Sequence, residues 1–233
     1  MGKKEIEFWE NHYLNQIEFT IKQDVNKMME GLKSKDKIKK DWINAFKKSA
    51  NKNSDFARGA ERIYFWLFNQ FGIPNSSPIG SDLFFETYNA FVHIDIKTAK
   101  IDNTSDYKGK IPLGKNQTSY FLPEKNYKVN LPTFYSYKNK ICLTYFINII
   151  YEEIKDEINI KAVFLISVPN GKLNDIYGTD IYNASKNKGY AFRYKYSSRP
   201  KFELLDEQPF RIRKLYLDND LKEEDIIGFS MNK

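Results

Sequence analysis

Residues 91–99, "FVHIDIKTA", constrain the fold more than any other stretch of this chain. Apolar and polar side chains alternate through its centre, which is the period of a strand and not of a helix. Val92, Ile94 and Ile96 therefore point one way, and His93, Asp95 and Lys97 the other. The segment before it makes the strand half of a hairpin: "DLFFET" reads as a strand and "YNA" as a tight turn. The first side-chain set can pack on a helix. The second puts a carboxylate and an ammonium side by side at a strand end, where a cleft can receive them.

The remaining periodicities supply packing partners. From residue 3 to about 29, Ile6, Trp9, Tyr13, Ile17 and Ile21 recur every three or four positions, as an amphipathic helix requires. A short second helix is expected over 36–48, with Ile38, Trp42, Ile43 and Phe46 inward. A third follows Ser54 as N-cap, through "DFARGAERIYFWLFNQF", and is stopped by Gly72 and Pro74. Its second half is apolar nearly all round, so it is expected to be central. "KICLTYFINIIYEE" and "IKAVFLISV" read as a further pair of strands separated by the charged "IKDEIN", although length alone would allow the first to be a helix. Residues 102–133 are polar with few periodic signals. Beyond Pro169 the chain is loop-rich, with short strands expected around "YAFRYKY" and "FRIRKLYL".

These elements predict one α/β domain over 1–233. Residues 1–53 form a helical N-terminal part, 54–168 a core, and 169–233 a C-terminal part. A chain of 233 residues, 41% of them apolar, can bury such a core. Its apolar runs fall short of the roughly 20 residues that span a bilayer. The N-terminus has no signal-peptide core, and Ile6 stands where myristoylation needs serine or threonine. With Cys142 its one cysteine, the chain has no disulfide framework of its own and no cysteine-held metal. A soluble cytoplasmic protein is expected. The formal charge of +7 favours an anionic partner, nucleic acid before membrane.

Acid-x-lysine occurs four times, at Asp95–Lys97, Asp106–Lys108, Glu153–Lys155 and Asp220–Lys222. Only the first ends an apolar strand preceded by a hairpin partner that itself opens on an acid, Asp82. Asp82, Asp95 and Lys97 in this arrangement resemble the signature of the PD-(D/E)xK nuclease superfamily, the fold of most type II restriction endonucleases. "GSD" stands where the nominal Pro-Asp would be, and only the aspartate has a chemical role. Many members carry a glutamate on the helix before the hairpin, and Glu61 in "GAERIYFW" occupies that place. The resemblance covers roughly residues 54–100 and implies a central mixed sheet flanked by helices.

The resemblance implies Mg²⁺-dependent hydrolysis of phosphodiesters in double-stranded DNA, with Asp82, Asp95, Lys97 and Glu61 as the catalytic set. Attack on an anionic phosphodiester needs a hard cation held through oxygen, and Asp82, Asp95 and the Ile96 carbonyl suit Mg²⁺. Lys97 would hold the attacking water or stabilise the charge of the transition state. His93 reads as a neutral histidine lining the cleft. An assembly as a homodimer follows from the family and from two-fold symmetric targets.

Two segments are basic and almost free of acids. "YKGKIPLGKNQTSYF" offers Lys115, Asn116 and Gln117, and "ASKNKGYAFRYKYSSRPK" offers Arg193, Lys195 and Arg199. Lysines suit phosphate contacts, whereas Arg, Asn and Gln can read base edges. Alternation places Arg193 and Lys195 on one strand face. With only His12 and His93, far apart, HNH and zinc-dependent chemistries fit poorly, and no P-loop or GIY-YIG motif is present. A repair or junction-resolving nuclease of the same fold, or a non-catalytic nucleic-acid-binding module, stays open as an alternative.

Overall fold

In the computed structural model, the most β-branched runs of the sequence become neighbouring strands of one sheet. The structure describes residues 1–23, 25–26, 28–30, 32, 60, 82–114, 140–155, 157–184 and 191–231. In chain order its elements are α1 (Lys3–Lys22), β1 (Leu83–Glu86), β2 (Ala90–Lys100), β3 (Ile111–Gly114), β4 (Ile141–Ile154), β5 (Glu157–Val168), the single turn α2 (Asn174–Tyr177), β6 (Tyr182–Ala184), β7 (Ala191–Tyr194), β8 (Ile212–Leu217) and α3 (Glu223–Ile227). The expected helix over 36–48, and that after Ser54 except Ala60, lie outside the described residues.

The main sheet has the order β1-β2-β4-β5-β8. β2 and β4 are parallel and the other neighbours antiparallel, so the sheet is mixed. A parallel pair cannot be closed by a tight turn, and the chain between β2 and β4 is accordingly long enough to carry β3. β4 and β5 form a hairpin that turns at Lys155, a non-glycine residue with φ of 47°. Most of "IKDEIN" therefore belongs to the strands it was expected to separate. A second, antiparallel sheet has the order β3-β7-β6. Its first strand lies in the polar stretch whose sequence carries few periodic signals.

The sheet divides the core in two. On one face Val92, Ile94, Ile96, Tyr145 and Leu165 pack with Leu14, Ile17 and Ile21 of α1 and with Ala60. On the other, Ala99, Phe146, Ile150, Phe164 and Ile166 meet Ile111, Leu113, Phe192 and Tyr194 of the small sheet. Each fully buried aliphatic side chain contributes roughly 1.5–3 kcal/mol. With β4 covered on both faces, alternation disappears from its sequence, and β-branching is what marks it as a strand.

Helix α1 departs from the expected inward set in one respect. Trp9 is only half-buried, while Glu7, Glu10 and Leu14 are buried with Ile6, Tyr13, Ile17 and Ile21. Further along α1, the Tyr13 hydroxyl donates towards Thr87 Oγ1 at 2.8 Å and Asn89 Oδ1 at 2.7 Å. That contact fixes the turn of the β1–β2 hairpin against the helix. Among the described residues no helix is long and apolar enough to cross a membrane.

Candidate active site

Asp82 directly precedes β1, and its Oδ2 accepts the backbone N–H of Ile96 at 2.6 Å. The last backbone rung of the hairpin pairs Leu83 with Ile94. A carboxylate thus continues the ladder past the end of the strand, and the first acid is pinned to the strand that carries the second. The N–H and C=O of one strand residue leave on the same side, so the Ile96 carbonyl also faces the side of Asp82.

Asp95 and Lys97 lie on the polar side of β2, but not at its end, because the strand runs on to Lys100. The expected open cleft is correspondingly tight at Asp95, which is 1% exposed. Lys97 Nζ approaches Asp95 Oδ1 at 2.7 Å and keeps a quarter of its side chain accessible. The same ammonium lies 5.8 Å from the ring centre of Phe146, the residue in register with Asp95 on β4. Among the described residues, none donates a hydrogen bond to Asp95 Oδ2. Burial pushes the Asp95 carboxyl up to about 7; Lys97 opposes the rise and Asp82 adds to it. His93 is fully buried, edge-on to Phe84 at 5.2 Å, and burial lowers its pKa to about 3. It is a neutral imidazole at ordinary pH.

The donor set fits a hard divalent cation. It consists of carboxylate and carbonyl oxygens, and one carboxylate is nearly dry with an oxygen that no described residue donates to. Among the described residues no three or more His, Cys, Asp and Glu side chains converge. Two carboxylates suit a cation that keeps several waters, as Mg²⁺ does, better than one needing an all-protein cage.

Of the other residues singled out by sequence, Glu61, Lys115, Asn116 and Gln117 lie outside the described residues. Arg193 on β7 turns inward onto the loop after β2: its Nη2 pairs with Asp106 Oδ1 at 2.7 Å and its Nε donates to the Ser105 carbonyl at 2.8 Å. Lys195 and Arg199 are half-exposed in the following turn.

Two groups of polar residues escaped the sequence reading. Glu7 and Glu10 are buried against Arg211, with Glu10 Oε2 at 2.7 Å from its Nη2. Their signal was present, since Glu7, Glu10, Leu14, Ile17 and Ile21 follow a three-four-three-four spacing down one helix face. Thr144 and Asn148 of β4 are buried on the face of Asp95, in register with His93 and Lys97. Nothing in the sequence announces that register.

A family model for the N-terminal domain of type II restriction enzyme MwoI matches residues 3–157, and one for its central domain matches residues 160–217. The two matches meet at the β4–β5 hairpin, whose strands pair along most of their length. Among solved structures, tetrameric restriction endonuclease SfiI bound to cognate DNA is similar with a TM-score of 0.64 and 16% identity, over 95% of this chain and 88% of that one. Restriction endonuclease BglI bound to its DNA recognition sequence gives a TM-score of 0.62 at 16% identity, over 90% of each chain. At that identity the two establish a shared fold. No curated protein matches the sequence.

Proposed function

Because this chain belongs to the family of type II restriction enzyme MwoI, we propose that Asp82, Asp95 and Lys97 are the residues with which it cuts DNA. The family makes it a site-specific deoxyribonuclease that uses a divalent cation. The reading of its site goes further: the cation is Mg²⁺, held by Asp82, Asp95 and the Ile96 carbonyl, with Glu61 as an additional acid. The observation that carries this reading is the bond from Ile96 N–H to Asp82 at 2.6 Å. It joins the two acids of the motif through the backbone between Asp95 and Lys97.

When bound, the cation supplies charge against the phosphate and a water of lowered pKa. Asp82 is oriented in advance by its backbone donor, so this carboxylate needs little reorganisation to meet a cation. Asp95, desolvated by burial, favours a state in which its charge is neutralised. Phe146, in register with Asp95, places its ring 5.8 Å from the Lys97 ammonium and gives the pair an apolar neighbour. Lys97 retains a partly accessible ammonium, the group able to meet negative charge as it grows on the attacked phosphate.

Cutting both strands of a two-fold symmetric site requires two such centres, and we propose a homodimer on DNA. Lys195 and Arg199, in the basic segment, are proposed to contact DNA. The test is a digest of mixed-sequence DNA with the full chain. Discrete fragments are expected in Mg²⁺ and none in EDTA, and Asp82→Ala and Asp95→Ala should yield none in either. Full activity in Asp95→Ala or Lys97→Ala would sink this site. The protein mass in the DNA complex should be near twice 27.6 kDa, and a monomeric complex cutting both strands in one binding event would refute the dimer.

A further inference from the structure

The residue in register with Lys97 across the parallel ladder is Asn148. In-register residues of parallel neighbours project from the same face, on strands about 4.8 Å apart. Asn148 therefore stands beside Lys97 on the face of His93 and Asp95. It is 1% exposed, and its side-chain oxygen receives no donor among the described residues. Phe146 and Ile150, its neighbours along the same face, belong to the apolar cluster. A buried amide oxygen left unpaired works against folding. Among the described residues, folding therefore gives no reason for an acceptor at this oxygen.

The ion pair beside it does. Lys97 Nζ lies 2.7 Å from Asp95 Oδ1, on a carboxylate read above as a cation ligand. A divalent cation on Asp95 draws that carboxylate away from Lys97 and sets a repelling charge next to the ammonium. The ammonium must then find another acceptor close by, and still remain where the phosphate arrives. We infer that Asn148 is a positioning residue whose side-chain oxygen receives the Lys97 ammonium when the cation occupies Asp95. Lys97 is thereby held at the site without competing for the carboxylate. The inference rests on the roles proposed for Asp95 and Lys97.

Mn²⁺ binding to the full chain, followed through the electron paramagnetic resonance signal of the free ion, tests it with no DNA cleaved. Asn148→Leu should weaken Mn²⁺ binding on the order of 10-fold, the scale of one charged hydrogen bond, because Lys97 then stays on Asp95. In a Lys97→Ala background the same substitution should shift affinity by less than about two-fold, since no ammonium remains to be drawn off. Equal weakening in both backgrounds would mark a merely structural role, and unchanged binding in the first would mark none; either result overturns the inference. Asn148→Leu should melt no lower than wild type, and Asn148→Ala repeats the cycle if the larger side chain strains the strand. Asp95→Ala separates inference from premise. If it loses Mn²⁺ while Asn148→Leu binds normally, only the inference fails; if it binds normally, the site reading fails as well.

Discussion

On the α1 face of the main sheet Arg211 is buried with two carboxylates, and on the opposite face Asp95 is buried with one lysine. The first cluster is saturated. Arg211 Nη2 reaches Glu10 at 2.7 Å and Glu7 at 3.3 Å, and its Nε reaches the Tyr177 hydroxyl at 2.8 Å. Glu7 also accepts the backbone N–H of Leu204 at 2.7 Å, and Glu10 that of Asn170 at 2.6 Å. The guanidinium carbon lies 4.5 Å from the ring centre of Tyr177 and 4.1 Å from that of Phe202. Among the described residues, the second cluster leaves Asp95 Oδ2, Asn148 Oδ1 and Thr144 Oγ1 buried without a hydrogen-bond partner. Buried polar groups are nearly always paired, and a shortfall calls for an explanation. A saturated cluster has no valence left for a ligand and acts as a clamp, here joining α1 to the chain around α2 and the start of β8. An under-coordinated cluster leaves room for a ligand, the role proposed for this one.

The comparison breaks most visibly at Asp95. Asp95→Ala should abolish cleavage while leaving a protein at least as stable as wild type, as measured by digestion and thermal melting. Arg211→Met should do the reverse. It strands two buried carboxylates and should lower stability by about 3–5 kcal/mol in a urea titration, while the folded fraction still cuts. Lys97→Ala should slow single-turnover cleavage by about 10²–10³-fold, the range for one electrostatic stabiliser, with cation binding retained.

A smaller effect follows from pH. Burial raises the Asp95 carboxyl from 3.8 to about 7, so the folded, cation-free state holds this proton more tightly than the unfolded chain. The contribution of Asp95 to stability is then complete below the ordinary carboxylate value and is lost as pH rises through about 7. Asp95→Asn should remove that fall. By the same sign, Mn²⁺ must displace a proton below pH 7, and its affinity should drop about 10-fold for each further unit of acidity. Affinity independent of pH between 5 and 7 would contradict the burial of this group. Least of all should follow from Asp106→Ala or Lys108→Ala, the same tripeptide outside the site, where the cleavage rate should stay within a few-fold of wild type.

How far this was legible in the sequence depended on whether a feature was local. The alternation through His93, Asp95 and Lys97 fixes their common face without any tertiary information, and the β-branched runs of β4 and β5 announce strands. β3 was missed because "IPLG" is four residues long and contains a proline, so it carries no period of its own. The inward glutamates of α1 were hidden by their charge, although their spacing was helical, because their partner lies some two hundred residues away. Asn148 could not be singled out, since its meaning comes from the register of β2 with β4, and a parallel register is set by the packing of the whole sheet.

The bond between Asp82 and Ile96 gives the site a reporter that needs no label. The Ile96 amide proton points at a carboxylate proposed to bind the cation, so its chemical shift and its exchange with solvent should follow the charge and position of that carboxylate. Titrating a divalent cation into isotopically enriched protein would move this one backbone resonance ahead of any cleavage. Occupancy of the centre could then be followed at equilibrium, before the DNA sequence it cuts is known.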